Sequence, residues 1–170
     1  TAMGAVELTA DEISFGDFSD GNLDESEIIG DLESIFASLD AEANNGIFVN
    51  TDLSTTVGGL HLDGYYVGES GGGGITFAAG VILDSAGDII LEVDGAGIGV
   101  IEALGALTLN AANGDSPSVS ILDDLDVTGA LTIDADSDSD NDGDLSVDEG
   151  VIVSAASIAI TAADVDLDGE

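Results

Sequence analysis

Short bursts of apolar residues alternate with polar residues along most of the chain, and this pattern predicts β-strands. Residues 5–16 read AVELTADEISFG, in which apolar and polar residues alternate around Val6 and Leu8 and again around Ile13 and Phe15. A period of two is that of a strand with one buried face. We therefore expect short strands here, within an N-terminal strand or cap segment that covers residues 1–24.

Residues 25–46 break this alternation and predict an amphipathic helix. Their apolar side chains recur at spacings that place them on one helix face, and they are Ile28, Ile29, Leu32, Ile35, Phe36 and Leu39. The sequence Asn44-Asn45-Gly46 is a typical helix stop. We expect the helix to pack against the sheet body or to cover one end of it; binding of a partner through the apolar face is the alternative.

From residue 47 to residue 170 the bursts are short and rich in Ile, Val and Leu, and Gly, Asn, Asp or Ser separates them. Three of them are nearly the same peptide: ALTLNA begins at 106, ALTIDA at 130 and SIAITA at 157. DIILEV, which begins at 88, precedes the first of these. Such an imperfect period indicates a repeat architecture.

The repeats favour a parallel β-helix, in which each coil has two or three short strands and stacked coils align equivalent positions in ladders. The bursts lack hairpin spacing, and no long helices intervene as they would in a βαβ sheet. The 24 glycines suit tight corners. We predict an all-β solenoid over residues 47–170, with coils that continue beyond the end of the chain. An antiparallel β-sandwich is the alternative.

Three stretches resemble the repeats of very large filamentous-haemagglutinin-like bacterial exoproteins. They are NTDLSTTVGGLHLDG at 50–64, ALTLNAANG at 106–114 and GALTIDADSDSDNDGDLSVDEGVIVSAASIAITAADVDLDGE at 129–170. The resemblance implies a right-handed parallel β-helix that is exported and held at the bacterial cell surface. It also implies a role in adhesion, surface coating or biofilm structure, and it supplies no catalytic residues.

The charge of the chain narrows its range of partners. Asp and Glu number 36, Lys and Arg are absent, and the formal net charge is −36. Nucleic acids and anionic membrane surfaces are bound through cations, so we expect neither as a partner. No apolar run approaches the roughly 20 residues of a membrane span, so we expect no membrane insertion. An acidic surface of this kind needs screening by salt or divalent cations, and we expect an extracellular location.

The segment DSDNDGDLSVDE carries the spacing of a twelve-residue calcium loop, in which alternate residues direct oxygen ligands toward one cation. The side chains at positions 1, 3 and 5, the carbonyl at 7, the water-holding residue at 9 and the bidentate acid at 12 are Asp138, Asp140, Asp142, Asp144, Ser146 and Glu149, with a turn at Gly143. The flanking sequences do not read as helices. We therefore expect the loop to join two solenoid strands and to bind calcium through its first three aspartates, even without the terminal acid. A solvated acidic corner is the alternative.

Other residues carry weaker signals. His61 alternates with leucines and is predicted to face outward on a strand. Tyr65 and Tyr66 form a pair of the kind that stacks on sugars, although surface tyrosines at a strand end are the plainer interpretation. The acidic stretch 164–170 is interpreted as a strand with outward acids in preference to a second calcium loop.

An enzyme is not expected. Lyases built on β-helices use a basic catalytic residue, which this chain lacks, and the adjacent acids Asp123 and Asp124 would point to opposite faces of a strand. We predict no catalytic and no cofactor-binding residues.

The predicted function is that of a structural or adhesive segment of a secreted bacterial surface protein, stabilised by calcium. One alternative is a self-assembling subunit of an extracellular filament or layer, with calcium bridging acidic faces. Another is a carbohydrate-binding module or glycan hydrolase. The expected partners are calcium, further copies of the chain end to end, and host or matrix glycans.

Overall fold

The computed structural model describes residues 4–10, 12–16, 27–28, 34–64, 73–93, 100–112, 118–139 and 142–168. Within these ranges the chain forms β-strands and no helix. The strands are β1 (Ala5–Ala10), β2 (Ile13–Phe15), β3 (Glu27–Ile28), β4 (Ser34–Phe36), β5 (Ser38–Ala43), β6 (Ile47–Val49), β7 (Leu53–Thr55), β8 (Leu60–Asp63), β9 (Ile75–Phe77), β10 (Val81–Ser85), β11 (Ile89–Glu92), β12 (Ile101–Ala103), β13 (Leu107–Ala111), β14 (Val119–Ile121), β15 (Leu125–Asp134), β16 (Asp144–Val147), β17 (Val153–Thr161) and β18 (Asp164–Leu167).

The strands form two parallel sheets. Sheet A has seven strands in the order β1-β5-β8-β11-β14-β16-β18, and sheet B has the order β3-β2-β6-β9-β12-β15-β13-β10-β7-β4, with β17 beside β15. From β5 to β16 each strand pairs with the equivalent strand of the next coil. Every pairing among the described strands is parallel, so the antiparallel sandwich considered from sequence is wrong.

Sheet B consists of two arms that the long strand β15 connects. The first half of β15 pairs with β12, and the second half pairs with β13. The register shifts between Val127 and Ala130, where one arm passes into the other. The chain therefore contributes a strand to sheet A, then to the first arm and then to the second arm. This arrangement is consistent with a β-solenoid.

The near-identical peptides of the sequence do lie side by side. Leu107 pairs with Leu131, and Leu131 pairs in turn with Ile158. DIILEV does not belong to this ladder, because Ile89 lies on sheet A and pairs with Leu60 and Val119. The strand that precedes ALTLNA on its own arm is β10.

Branched apolar side chains fill the interior in rows that run from layer to layer. The first inner row of sheet A consists of Val6, Leu39, Leu60, Ile89, Val119, Leu145 and Val165. The second inner row consists of Leu8, Ala41, Leu62, Leu91, Ile121, Val147 and Leu167. Side chains in the middle of each row are buried, and each buried Leu, Ile or Val contributes about 1.5–3 kcal/mol to folding.

Two hydroxyls are enclosed in this core at one corner. Thr55 Oγ1 and Ser85 Oγ lie 3.0 Å apart, both side chains are buried, and β7 and β10 supply them. Ser85 Oγ also donates to the Asp88 carbonyl at 3.0 Å and accepts from the Gly87 N–H at 3.2 Å. These bonds satisfy polar groups that would otherwise be costly to bury.

The helix predicted for residues 25–46 is wrong where the structure describes that segment. β3, β4 and β5 occupy it, while residues 25–26 and 29–33 lie outside the described ranges. β5 pairs with β1 on one side and β8 on the other, and its inward residues Leu39, Ala41 and Ala43 follow a period of two. Ile35, assigned to the apolar helix face, is 37% exposed. Pairing on both edges outweighs the helix propensity of the Leu-, Ala- and Glu-rich sequence.

Short strands are present in the described part of the N-terminal segment, as the alternation predicts. β1 and β2 lie within residues 5–16, and Phe15 is buried against Phe36 with the ring centroids 6.3 Å apart in a T-shaped arrangement. Residues 17–24 of the predicted N-terminal segment lie outside the described ranges.

Candidate functional site

The first half of the predicted calcium loop lies at a corner that follows β15. Asp138 is exposed in a turn, and Asp142 is exposed just before β16; Asp140 lies outside the described residues. The turn is closed by the Ser139 N–H, which donates to the Asp136 carbonyl at 2.9 Å, and Ser139 has a φ of 62°. The corner thus presents Asp138 and Asp142 to solvent from one connection between sheets.

The second half of the loop is a strand. Asp144 and Ser146 are half-buried residues of β16. The Asp144 carbonyl, the predicted ligand at position 7, accepts a hydrogen bond from the Ser118 N–H at 2.9 Å. That oxygen is therefore already engaged in a main-chain hydrogen bond to the adjacent layer.

Glu149, the predicted bidentate ligand, lies on the far side of β16 from Asp142. It is exposed in a turn in which the Val151 N–H donates to the Asp148 carbonyl at 3.2 Å. Four extended residues span about 13 Å, which separates the two acids. The arrangement does not fold Glu149 back over the corner as a complete calcium loop would require.

At Gly143, the sixth loop position, glycine is required for a reason other than the expected turn. Its φ is not in the left-handed region, but a Cβ there would lie 1.8 Å from the Ala135 carbonyl oxygen. The main chain around Gly143 is thus pressed against the end of β15. Within the described residues no three His, Cys, Asp or Glu side chains converge in a metal-binding geometry. Calcium binding that includes Asp140 stays a prediction.

His61 lies on the outer face of β8 between two carboxylates from neighbouring strands. Its Nδ1 is 2.9 Å from Asp40 Oδ1, and its Nε2 is 3.3 Å from Glu92 Oε2. A carboxylate only accepts hydrogen bonds, so both contacts are satisfied together when the ring carries a proton on each nitrogen. Because the two acids bind opposite ring nitrogens, this triad does not converge on a metal ion.

The sequence predicted the outward position of His61 but not its partners. Asp40 lies on β5, one coil before His61, and Glu92 lies on β11, one coil after it. The signal that would have found them is the alignment of LDAEA, LHLD and IILE as adjacent strands of one ladder. That alignment depends on coil lengths, which vary.

Aspartates at the corners bind main-chain groups of neighbouring layers. Asp52 Oδ1 accepts from the Ile82 N–H at 2.8 Å. The adjacent acids Asp123 and Asp124 also accept main-chain hydrogen bonds. Asp123 Oδ2 accepts from the Val93 N–H at 2.7 Å, and Asp124 Oδ1 accepts from the Ile152 N–H at 2.8 Å. Val93 belongs to the preceding layer and Ile152 to the following one. The two carboxylates therefore diverge instead of forming a catalytic pair.

The remaining sequence candidates are placed as follows. The stretch 164–167 is strand β18, as interpreted from sequence, and residues 169–170 lie outside the described ranges. Tyr65 and Tyr66 also lie outside them. Within the described part of the chain, no helix has the length and apolar character that crossing a membrane requires.

Comparison with known proteins returned no match to a family model, to a curated protein or to a solved structure.

Proposed function

We propose that this chain is a stretch of right-handed parallel β-helix that serves as a structural and adhesive segment of a secreted bacterial surface protein of the filamentous-haemagglutinin-like kind. The observation that carries the proposal is the pair of inner rows of sheet A, which run through seven strands from Val6 to Val165 and from Leu8 to Leu167. A body built this way lengthens by about 4.8 Å with every coil, so its natural use is as a spacer or stalk.

The acidic exterior supports an extracellular setting. The chain has 36 acids and one histidine that can carry positive charge, so neutralisation has to come from ions in solution. Calcium is the fitting ion, because hard carboxylate oxygens are its preferred ligands and it binds extracellular modules at concentrations near millimolar. The corner that presents Asp138 and Asp142 is the proposed site, and Asp140 between them completes the first three ligand positions.

Calorimetric titration with calcium tests the site. We expect Asp142→Asn to weaken calcium binding by about tenfold or more, because it removes one of three charged ligands. Asp148→Asn is the matched control: it makes the same change in charge at an exposed position on the far side of β16. Equal binding by both variants would mean that calcium interacts with the acidic surface as a whole.

Circular dichroism and a glycan array test the structural and adhesive role. In sodium chloride sufficient to screen the charge, we expect a strand-rich spectrum without helical bands. On the array, adhesion predicts retention of the intact chain on a subset of host or matrix glycans, without turnover. Glycan cleavage would instead identify a hydrolase, and a helical spectrum would contradict the β-helix.

A further inference from the structure

Residues 44–46 form the corner between β5 on sheet A and β6 on the first arm of sheet B. The sequence at this corner is Asn44-Asn45-Gly46, and Asn45 is exposed in the bend. An asparagine side chain reacts most readily with its own main chain when glycine follows it, because glycine has no side chain to obstruct ring closure. The corner therefore presents a chemically labile pair of residues to water.

The fold itself requires the glycine of this pair. Gly46 has a φ of +119°, a conformation that residues with a Cβ rarely adopt. A Cβ at Gly46 would also lie 3.1 Å from the carbonyl oxygen of Gly74, in the layer that contains β9. Both features select against any other residue after Asn45, so the labile pair cannot be removed at its second position without disturbing the corner.

The main-chain nitrogen of Gly46 is free to react. Among the described residues, the Gly46 N–H donates no hydrogen bond, although the Gly46 carbonyl accepts from the Ile13 N–H at 3.2 Å. The next amide along the chain, that of Ile47, is engaged, because it donates to the Gly74 carbonyl at 2.9 Å. The Asn45 side chain also has no hydrogen-bond partner in the described part of the chain. Neither reacting group therefore has to break a hydrogen bond before ring closure.

A second pair of the same kind shows the opposite arrangement. Asp63 precedes Gly64 at the end of β8, where the Gly64 N–H donates to the Glu92 carbonyl at 3.0 Å. Asp63 is also only 8% exposed. Sequence alone marks both pairs as labile, but in the structure the attacking nitrogen is held by a hydrogen bond at Gly64 and is not held at Gly46.

We propose that Asn45 is a site of spontaneous deamidation, at which the Gly46 main-chain nitrogen attacks the side-chain carbonyl carbon of Asn45. The new N–C bond closes a succinimide ring. The bond from that carbon to Nδ2 breaks, and ammonia leaves with the proton of the Gly46 N–H. Water then opens either carbonyl of the ring and gives aspartate or isoaspartate. This inference does not depend on the proposed function, and its failure would leave that function untouched.

Conversion to isoaspartate changes the main chain as well as the charge, because the chain then passes through the former side chain and gains one atom. The gain occurs beside two bonds that connect layers, from the Ile13 N–H to the Gly46 carbonyl and from the Ile47 N–H to the Gly74 carbonyl. It also adds an acid to a chain that has no Lys or Arg to neutralise it. We therefore expect the aged protein to unfold at a lower denaturant concentration than the fresh protein.

Mass spectrometry after incubation at mildly alkaline pH tests the site. Cleavage after glutamate releases a peptide that begins at Ala43, and this peptide should gain the mass of an amide that has become an acid. Asn45→Gln should lower the conversion by about tenfold or more, because the larger ring that glutamine forms closes over a higher barrier. Asn44→Gln is the matched control and should keep the wild-type rate. No conversion in the wild-type peptide, or equal conversion in both variants, would overturn the proposal.

Comparison of the folded chain with the chain unfolded in guanidinium tests the structural part of the argument. Folded Asn45 should convert at a rate within about tenfold of its rate in the unfolded chain, because no hydrogen bond protects it. Asn110 lies inside β13, which pairs with strands on both sides, and should convert only after unfolding. Protection of Asn45 as strong as that of Asn110 would contradict the inference. An endoproteinase that cuts before aspartate but not before isoaspartate identifies the two products.

Discussion

Replacement of Gly143 by alanine distinguishes the two roles that this residue can have at the acidic corner. In a calcium loop, glycine at the sixth position permits a sharp turn. In the structure, the reason for glycine is the close approach of the chain to the end of β15. The added Cβ would lie 1.8 Å from the Ala135 oxygen and 2.5 Å from the Ala135 carbonyl carbon. Both are main-chain atoms, so neither moves by a simple change of rotamer.

The expected loss of stability follows from the main-chain groups that Gly143→Ala would push apart. Ala135 is fully buried, and its N–H donates to the Thr161 carbonyl at 2.8 Å. The Gly143 carbonyl accepts from the Ala163 N–H at 2.6 Å. Overpacking of a tight interior costs about 1–3 kcal/mol, and each weakened hydrogen bond costs about 1 kcal/mol more. We expect Gly143→Ala to lower the free energy of unfolding by about 3–5 kcal/mol.

Gly150→Ala is the control in the same region. Gly150 has a φ of +83°, and nothing lies within 4 Å of a Cβ there. Its cost is the left-handed backbone alone, about 1–2 kcal/mol. Urea unfolding followed by circular dichroism, in calcium and in chelator, measures both variants. A Gly143→Ala variant as stable as Gly150→Ala would refute the reasoning from close approach. A loss confined to calcium would assign Gly143 to the turn of a calcium loop.

Two further substitutions test other parts of the fold. Ser85→Ala should lower the free energy of unfolding by about 1–3 kcal/mol, because it leaves buried hydrogen-bonding groups unsatisfied. Ser157→Ala, at an exposed position of β17, should cost about 0.5 kcal/mol or less, and equal losses in thermal unfolding would contradict the argument. His61→Gln should cost about 0.5–1 kcal/mol, because it removes the ring that contacts both Asp40 and Glu92 and leaves the two acids to repel each other. The deficit should grow as salt is lowered, and a deficit independent of salt would show that packing, not charge, is lost.

Sequence predicted the fold best where the inward side chains are large and equivalent strands have nearly the same residues. The pairing of ALTLNA, ALTIDA and SIAITA follows from similarity alone, since identical inward positions make the best ladder. The helix prediction failed at residues 34–43. A helical spacing of apolar residues and a run of good helix formers describe local preference only. The edges of β1 and β8, far away in sequence, decide that segment. The contacts of His61 could not be predicted because they also depend on distant strands. The length of each coil determines which acids become neighbours of His61, and this length differs from coil to coil.

Several acids among the described residues accept hydrogen bonds from donors in adjacent layers, in a chain that has no lysine or arginine. On the first arm of sheet B, Glu102 and Asp126 are directly opposite each other. Each has a hydroxyl on its other side: Thr76 Oγ1 donates to Glu102 at 3.2 Å, and Ser154 Oγ donates to Asp126 at 2.7 Å. The corner aspartates use main-chain N–H groups in the same way. Each of these carboxylates therefore links two layers. Because the repulsion that remains adds up from layer to layer while each bond is local, stability should depend more strongly on cations as coils are added.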